Sequence, residues 1–345
     1  MKLTLAPEGL RERIFFALGR FPRLPMLSLM GTELSQIIVT GVRLNIFEHL
    51  REGPKTAAEV GALIDCDDYG MEILLDCMSG FGLLRRAQGE YSLEPETRDW
   101  LTRNGKSPGS VESIWLNGEI GRRFHHLDEY LKTGRVNNVH FDSGKNGWWG
   151  SYLKALKAAG PMSAPLLIKR LNLERPPRRM LDIGGGPGLM SIAFCKQFPE
   201  LTSTIMELPN LVEHGKSYIR EAGMQDRISY IPGDVFENDM GKGYDLALMV
   251  NFIHAINEEQ CRLIVRRTYD ALAPGGMLVI QDNYYPGPDE EIPLMSGFAS
   301  LMYFVTTGSR AWPSASVRAW GEEAGFSKVT LEARNRKGLL ATAIK

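Results

Sequence analysis

A glycine-rich run stands where the chain leaves an apolar segment. Met180–Ile183 has the character of a short buried strand, and the sequence GGGPG follows it at positions 184–188. Glycines directly after a strand let a ligand approach the backbone, and the N-terminus of the next helix offers free N–H groups. The run therefore predicts a nucleotide-like cofactor above the carboxyl end of this strand.

The spacing of these glycines limits the kind of cofactor. The dinucleotide fingerprint G-x-G-x-x-G would need glycine at position 189, but Leu189 stands there and the third glycine of the pattern is Gly188. The missing glycine is the one that lets helix and strand pack closely. A nicotinamide-dependent oxidoreductase is therefore the weakest of the hypotheses that the run leaves open.

Two carboxylates follow at the ends of later strands. Glu207 ends the second strand, 23 residues after Gly184, where its oxygens can accept from two ribose hydroxyls. Asp234 follows the third strand, where a carboxylate can accept a hydrogen bond from an adenine amino group. Together with the glycine run, these acids predict a cofactor that contains a nucleoside.

From Arg179 onward, apolar strands and helical patterns alternate. The strands are Met180–Ile183, Thr204–Leu208, Ile228–Gly233, Leu246–Asn251 and Met277–Asp282, with helical patterns at 189–198, 210–222 and 257–272. Continuous apolar strands joined by helices predict a parallel sheet covered on both faces. A helix at 314–324 precedes two last strands, near Lys328–Ala333 and Leu339–Ile344. The direction of the last strand stays open.

Residues 31–105 have a helical pattern followed by a small β-ribbon. We predict a first helix over 33–51, a second that begins after a capping box at Thr56-Ala57-Ala58-Glu59, and a third over 69–81. Two short strands follow, one on either side of Gly89. This order is typical of a winged helix, a fold that often binds DNA. However, the segment holds seven Lys and Arg against thirteen Asp and Glu, a net charge of −6. A phosphate-binding surface needs the opposite sign, so an oligomerisation module is favoured.

Composition gives the remaining limits. The 345 residues predict about two domains, and a net charge of −1 argues against bulk binding to nucleic acid. The four cysteines lack the spacing of metal ligands, so we expect reduced thiols and no metal. The beginning of the sequence lacks an export signal and the chain has no apolar run long enough for a membrane span, so we expect a cytoplasmic protein. The predicted divisions are an arm at 1–30, a winged-helix-like dimerisation domain at 31–105, a helical bridge at 106–175 and a cofactor domain at 176–345.

Four motifs together resemble those of one family. They are LDIGGGPG at 181–188, Glu207-Leu208-Pro209, GDVF at 233–236 and LAPGG at 272–276. The chain resembles the class I S-adenosylmethionine-dependent methyltransferases and, more narrowly, is similar to the small-molecule O-methyltransferases of the plant caffeate and acetylserotonin type with their bacterial relatives. The resemblance implies S-adenosylmethionine as cofactor, a Rossmann-like seven-stranded sheet with an antiparallel last hairpin, and a homodimer formed through the N-terminal domain.

The resemblance also assigns roles to individual residues. Glu207 would hold the ribose, and Asp234 with Val235 the adenine. Met162 corresponds to a family methionine near the cofactor and the substrate. The remaining residues would hold the methionine part of the cofactor: Asp182, Gly184, Gly186 and Gly188.

His254 is the candidate general base. It follows the fourth strand, where the residues alone fit a structural histidine as well, but the family places its base at this position. A phenol with a pKa of about 10 is a weak nucleophile at neutral pH, and an imidazole is a suitable base for it. The sequence departs from the plant members, which have Asp-Trp where Ala255 and Ile256 stand. Asp282 replaces the glutamate that orients the base.

A second orienting glutamate of the family has no clear counterpart in the segment 308–313, GSRAWP. An apolar helix face nearby, formed by Met295, Phe298, Met302 and Val305, lines either the core or a pocket. With Trp148 and Trp149, Phe298 and Met302 could wall a flat apolar substrate.

The leading hypothesis is methyl transfer to a hydroxyl of a small aromatic or polyketide-like molecule. The alternatives are C- or N-methylation of a small molecule or tetrapyrrole, and a non-catalytic S-adenosylmethionine-binding regulator. Whether the arm at 1–30 contacts a partner subunit or a membrane surface stays open.

Overall fold

The structure is a computed structural model that describes residues 5–7, 9–106, 110–140, 148–171, 173, 175–334 and 338–345, with the backbone alone at 148–151, 154, 157–163 and 333–334. The chain divides into two compact units. The N-terminal unit comprises Met1–Gly121 and Gly150–Ala158, and the sheet unit comprises Arg122–Trp149 and Ala159–Lys345.

The N-terminal unit consists of helices and one antiparallel ribbon. Its elements are α1 (Leu10–Ala17), α2 (Arg23–Arg43), α3 (Ile46–Arg51), α4 (Ala57–Ile64), α5 (Asp68–Gly80), β1 (Leu84–Ala87), β2 (Glu90–Leu93), α6 (Pro95–Trp100) and most of α7 (Ser110–Phe124). The predicted capping box begins α4, with Thr56 Oγ1 accepting from the Glu59 N–H and Glu59 accepting from the Thr56 N–H. The unit's apolar core includes Phe47, Leu50 and Leu75.

The prediction of a single helix over 33–51 is wrong. The chain leaves the helical path between α2 and α3, where Asn45 has a φ of +55°, in the left-handed region that asparagine tolerates. The turn brings the Phe47 ring back onto α2. A Cβ atom on Gly41 would lie 2.6 Å from that ring, so the packing needs glycine there. The break therefore follows from a tertiary contact that helical periodicity does not report.

The sheet unit contains a seven-stranded sheet in the order β5-β4-β3-β6-β7-β9-β8. The strands are β3 (Arg179–Ile183), β4 (Thr202–Glu207), β5 (Ile228–Pro232), β6 (Tyr244–Val250), β7 (Leu272–Asp282), β8 (Lys328–Arg334) and β9 (Gly338–Ile344). The pairings among β3 to β7 are parallel, whereas β9 runs antiparallel to both β7 and β8. The predicted fold class, a mainly parallel methyltransferase-like sheet with an antiparallel last hairpin, is confirmed.

Helices connect these strands and cover both faces of the sheet. They are α10 (Leu189–Gln197), α11 (Pro209–Glu221), α12 (Glu258–Ala271), α13 (Leu294–Thr307) and α14 (Ser314–Ala324), with a short 3₁₀ helix at Ile253–Ala255. Two further helices precede β3 in the chain, α8 (Leu127–Thr133) and α9 (Trp148–Leu171), and residues Gly150–Ala158 of α9 belong to the N-terminal unit. Two buried apolar clusters include Trp320 and Ile264 in one and Phe194 and Leu167 in the other. Because β3 to β7 are parallel, their carboxyl ends lie along one edge of the sheet, where cofactors bind in open α/β folds.

Within the residues that the structure describes, no helix is both long and apolar enough to cross a membrane.

Candidate active site

The glycine run forms a tight loop between β3 and α10. Gly184 has a φ of +64°, and a Cβ atom on it would overlap the ring of Phe252. Gly186 has a φ of +53°, and nothing lies within 4 Å of the place where its Cβ would be. The loop therefore leaves an open cradle beside Gly186. Helix α10 begins directly after it, and the N–H groups of its first turn have no partner within the helix.

Glu207 closes one side of this cradle from the end of β4. Its side chain is buried, Oε2 accepts from the Gly186 N–H at 2.8 Å, and Oε1 accepts from the Leu208 N–H at 2.8 Å. Burial raises the pKa of this carboxyl group. Because a carboxylate oxygen can accept two hydrogen bonds, each oxygen keeps capacity for another donor. A ribose diol, with its two neighbouring hydroxyls, fits that capacity.

Asp182 supports the loop from beneath. Its side chain is 1% exposed, and Ser191 donates to its Oδ2 at 2.6 Å. A Cβ atom on Gly185 would lie 2.6 Å from the Asp182 carboxyl carbon, so the two groups are in close contact. Burial raises the pKa of Asp182 to about 6. In this position the carboxyl group joins the end of β3 to α10 beside Gly185, and its direct contact with the methionine part of a cofactor stays a prediction.

Asp234 and Val235 follow β5 at the same edge. Asp234 is half-buried, and its Oδ1 accepts from the Phe236 N–H at 2.9 Å, which folds the segment into a turn. The Asp234 N–H donates to the side chain of Asn238 at 2.8 Å. Val235 is buried. The structure thus brings the glycine loop, Glu207 and Asp234 together along neighbouring strand ends.

Tyr230 belongs to this region and was missed in the sequence analysis. Its hydroxyl donates to the Gly186 carbonyl at 2.9 Å, and a Cβ atom on Gly215 would overlap that hydroxyl. Burial raises the pKa of the phenol, so the group stays a donor at neutral pH. A tyrosine inside a strand gives no signal of such a role, because its reach across β4 to the loop depends on the sheet order.

His254 and Asp282 form a hydrogen-bonded pair at the ends of β6 and β7, the next two strands after β3 in the sheet order. His254 lies in the 3₁₀ helix after β6, and Asp282 ends β7, the parallel neighbour of β6. The Nδ1 atom of His254 lies 2.8 Å from Oδ1 and 3.0 Å from Oδ2 of Asp282. An ionised carboxylate only accepts, so Nδ1 carries the proton and, in the neutral ring, Nε2 keeps its lone pair. That tautomer is the one a general base requires.

Tyr303, on α13, was also missed, and it covers one face of His254. The two rings are stacked with centroids 3.7 Å apart and planes 13° apart. The side-chain amide of Asn283 donates to the Tyr303 hydroxyl. Tyr303 lies beside Met302, one member of the apolar stripe that the sequence indicated, but the stripe alone does not distinguish the ring that stacks on a histidine.

A segment of the bridge, 136–140, lies against the same elements. Val139 donates its N–H to the Thr306 carbonyl at 2.9 Å, and the Asn138 side chain donates to the Ala255 carbonyl at 3.0 Å. Burial lowers the pKa of His140 to about 4, and repulsion from His254, when that ring is protonated, acts in the same direction. His140 is therefore neutral at physiological pH and adds no like charge beside His254.

The segment 308–313, in which no second orienting acid was found, fixes the backbone around His254. Ser309 Oγ donates to the Ile256 carbonyl at 2.5 Å, and Trp312 Nε1 donates to the Ile253 carbonyl at 2.9 Å. Neutral donors thus hold the backbone at the first residue of the 3₁₀ helix and directly after its last residue.

The predicted pocket wall is described in part. Phe298 is half exposed and lies parallel to Phe124, with ring centroids 6.1 Å apart. Met302 is half-buried against the small apolar cluster that contains Tyr303. Exposure along the stripe falls from 56% at Met295 to 0% at Val305, so one end of α13 is core and the other is open. The side chains of Trp148, Trp149 and Met162 lie outside the described residues.

No group of three or more His, Cys, Asp or Glu side chains in the described ranges is arranged to hold a metal ion. The edge of the sheet thus presents an open glycine cradle with carboxylates beside it, and a histidine–aspartate pair further along. A mainly parallel sheet with these groups at its carboxyl edge defines the class of nucleoside-cofactor transferases of the methyltransferase fold.

Comparison with protein families gives the particular family. The model of the O-methyltransferase domain matches residues 146–327, and that of the O-methyltransferase dimerisation domain matches residues 26–103. The chain belongs to the O-methyltransferase family and is an S-adenosylmethionine-dependent methyltransferase with an N-terminal dimerisation domain. The predicted family and cofactor are confirmed, and the open cradle with its acceptors fits that cofactor.

Individual relatives show the range of reactions. The chain is 26% identical to 3-hydroxy-5-methyl-1-naphthoate 3-O-methyltransferase of Streptomyces sahachiroi, with 87% of this chain and 88% of the relative covered. It is 25% identical to L-tyrosine C(3)-methyltransferase of Streptomyces lavendulae, with 88% and 86% covered. The fold matches human N-acetylserotonin methyltransferase, solved in complex with SAM, with a TM-score of 0.77, 20% identity and 98% of each chain covered.

Proposed function

We propose that the chain transfers a methyl group from S-adenosylmethionine to a hydroxyl of a small aromatic or polyketide-like molecule, with His254 as general base. The observation that carries the proposal is the His254–Asp282 pair, which lies at the same edge of the sheet as the glycine cradle. A buried histidine with a carboxylate on Nδ1 is suited to removing a proton through Nε2.

The cofactor residues follow from the cradle. Gly184, Gly186 and Gly188 would let the backbone approach the cofactor, Glu207 would accept from the ribose hydroxyls, and Asp234 would accept from the adenine amino group. S-adenosylmethionine, when bound, supplies an electrophilic methyl carbon bonded to a sulfonium sulfur, and transfer of that methyl group leaves the sulfur as a neutral thioether.

The protein's own part in the reaction is to orient the acceptor and to move one proton. Nε2 of His254 would accept the proton of the acceptor hydroxyl as its oxygen forms a bond to the methyl carbon. Asp282 would keep Nδ1 protonated and stabilise the resulting imidazolium. This orientation matters because the effective concentration of a well-placed group greatly exceeds that of a free base.

The acceptor pocket, in our proposal, lies on the apolar side of His254. Phe298 and Met302 on α13 offer flat and soft apolar surface, and Phe124 from the bridge extends it. Within the sheet unit, the contacts of segment 136–140 with Ala255 and Thr306 support a role of the bridge in shaping this wall. The relative that acts on a hydroxynaphthoate supports an aromatic acceptor.

The test measures binding and turnover separately. S-adenosylhomocysteine should raise the melting temperature of the protein, whereas NAD and NADP should not. Turnover should be followed as S-adenosylhomocysteine release with a panel of hydroxynaphthoates, N-acetylserotonin and simple phenols. We expect His254→Ala to bind S-adenosylhomocysteine as the wild type does and to lose at least about a hundredfold in kcat.

His214→Ala, at an exposed histidine on α11, is the matched control. Full turnover by His254→Ala would refute the base role.

Methylation at carbon is a second candidate, favoured by the similarity to the tyrosine C(3)-methyltransferase. A phenol deprotonated by the same histidine can react through its ring carbon as well as its oxygen. Mass spectrometry gives one added methyl in both cases, and the proton NMR shift of the new methyl separates a methoxy group from a ring methyl group.

We also propose a homodimer, formed through the dimerisation domain at 26–103 and the arm before it. Large apolar side chains of α1 and α2 are exposed in the single chain: Leu10, Leu18, Leu24 and Leu29. Leu24 has the largest exposed fraction of the four, 78%, and several exposed leucines on consecutive helices are typical of a surface that a second chain covers. Light scattering should give twice the chain mass of 38.6 kDa. Leu24→Glu with Leu29→Glu should shift that mass toward one chain, and Leu263→Glu, at an exposed position of α12, should not.

A further inference from the structure

We propose that Tyr303 is a positioning residue for His254: its ring holds the imidazole face to face, fixes the direction of Nε2 and stabilises the protonated ring. This role of Tyr303 rests on one part of the proposed function, namely that His254 is the general base. Tyr303 would act through His254 and is not itself proposed to exchange a proton.

The geometry of the stack is the first argument. Aromatic pairs usually place their centroids 4.5–7 Å apart with an offset, because directly overlapping π-systems repel. Here the centroids are 3.7 Å apart and the planes are within 13° of parallel, so the rings overlap almost fully. Full overlap is favourable when one ring is electron-poor, as an imidazolium is over the face of a phenol. The arrangement therefore suits the protonated histidine that follows proton transfer.

The second argument is that the two rings are anchored by adjacent residues. Asp282 binds Nδ1 of His254, and the next residue, Asn283, donates its side-chain amide to the Tyr303 hydroxyl. The Asn283 N–H also donates to Asp282 Oδ1 at 2.7 Å. Two consecutive residues at the end of β7, Asp282 and Asn283, thus set the position of both rings relative to each other.

Thr307 ties the backbones of the two residues. Its Oγ1 lies 2.8 Å from the Tyr303 carbonyl and 3.3 Å from the His254 carbonyl. The hydroxyl can donate to either carbonyl or share its proton between them. Because His254 and Tyr303 are both buried, water offers little competition with the stack.

The physical consequence concerns rotation of the imidazole. A hydrogen bond at Nδ1 fixes one atom of the ring, but the ring can still tilt and swing about that bond. A parallel ring on one face opposes this motion. Tyr303 therefore supplies a second restraint on the base, at a site where the segment 308–313 contains no acid to provide one.

The test uses the full-length protein saturated with S-adenosylhomocysteine, deuterated at every residue type except histidine, which is supplied protonated and labelled with ¹⁵N. The His254 signals are assigned from His254→Gln. In the wild type we expect ring protons shifted upfield by the Tyr303 ring and a slowly exchanging Nδ1–H. In Tyr303→Leu the upfield shift should vanish and exchange of that proton should be roughly three- to thirtyfold faster, the range expected for loss of one stacked ring. Tyr303→Phe keeps the ring and should retain both signatures.

Tyr269→Leu is the matched control, since this half-buried tyrosine packs edge-on against Phe326 and not against His254. The inference is overturned if Tyr303→Leu leaves the His254 signals unchanged, if Tyr303→Phe loses them as fully, or if Tyr269→Leu has the same effect. Retained turnover in His254→Ala would instead refute the base role of His254, and the NMR signatures in the proteins that keep His254 would be unaffected. The two failures are therefore distinguishable.

Discussion

The Nδ1 atom of His254 lies 2.8 Å from Oδ1 of Asp282, although the two residues are 28 positions apart in the chain. Parallel pairing of β6 and β7 creates this contact, because it brings the loop after one strand beside the end of the other. The carboxylate selects the tautomer with the proton on Nδ1. It also leaves Nε2 as the basic atom of the pair.

Replacing Asp282 by asparagine should remove that selection. The amide is neutral and can donate to Nδ1, which would favour the tautomer with the proton on Nε2. By analogy with serine-protease triads we expect kcat to fall by roughly three to four orders of magnitude with S-adenosylhomocysteine affinity unchanged. The measurement is steady-state turnover alongside calorimetric binding. Asp226→Asn, at an exposed site, should match the wild type, and a kcat for Asp282→Asn within threefold of it would contradict the orienting role.

Replacing Glu207 by glutamine should weaken cofactor binding. Both carboxylate oxygens accept backbone N–H groups, from Gly186 and Leu208, so a glutamine must turn its NH₂ toward one of those donors. We expect a loss of about 1–3 kcal/mol in binding of S-adenosylhomocysteine, measured by titration calorimetry. Glu213→Gln is the control, because that carboxylate is exposed and pairs with Lys216. Equal affinities in both variants would show that Glu207 does not hold the ribose.

Gly186→Ala and Gly223→Ala form a matched pair. Both glycines have positive φ, +53° and +66°, and neither has an atom within 4 Å of the added Cβ. Each alanine should therefore lower the free energy of unfolding by a similar amount, about 1–2 kcal/mol, from left-handed strain. Only the methyl at 186 would enter the cradle. We expect at least tenfold weaker S-adenosylhomocysteine binding for Gly186→Ala alone, and equal binding by both variants would place the cofactor elsewhere.

Asp182→Asn should change how stability depends on pH. Burial raises the pKa of Asp182 from 3.8 to about 6, so the folded protein binds this proton more tightly than the unfolded chain does. Wild-type stability therefore loses this contribution as the pH rises through that window. Asparagine keeps an acceptor for Ser191 and carries no charge. Relative to the wild type, the variant should gain up to about 3 kcal/mol between pH 4 and pH 7.

Urea unfolding at fixed protein concentration measures this difference at each pH. Groups that titrate in both proteins cancel in the comparison. Asp226→Asn should show no such trend, since the residue is exposed. A difference between Asp182→Asn and the wild type that is independent of pH would mean that the buried carboxyl group titrates normally.

The sequence by itself determined the order of strands and helices in the sheet unit and the residues at the strand ends. Apolar runs and glycines are local features, and local features suffice to locate GGGPG at 184–188, Glu207 and His254 at or just after the ends of their strands. Helical periodicity did less well at 33–51, because the break at Asn45 depends on the packing of Phe47 against Gly41.

Tertiary structure alone decided which of these groups meet and how. The strand order brings Tyr230 to the Gly186 carbonyl, and the packing of α13 lays Tyr303 on His254. It also turned the carboxyl group of Asp182 inward to Ser191. These contacts join residues that are far apart in the chain. The side chains involved are of types that fit an ordinary core equally well. Periodicity and spacing record the local backbone path, whereas such contacts depend on the register of the whole sheet.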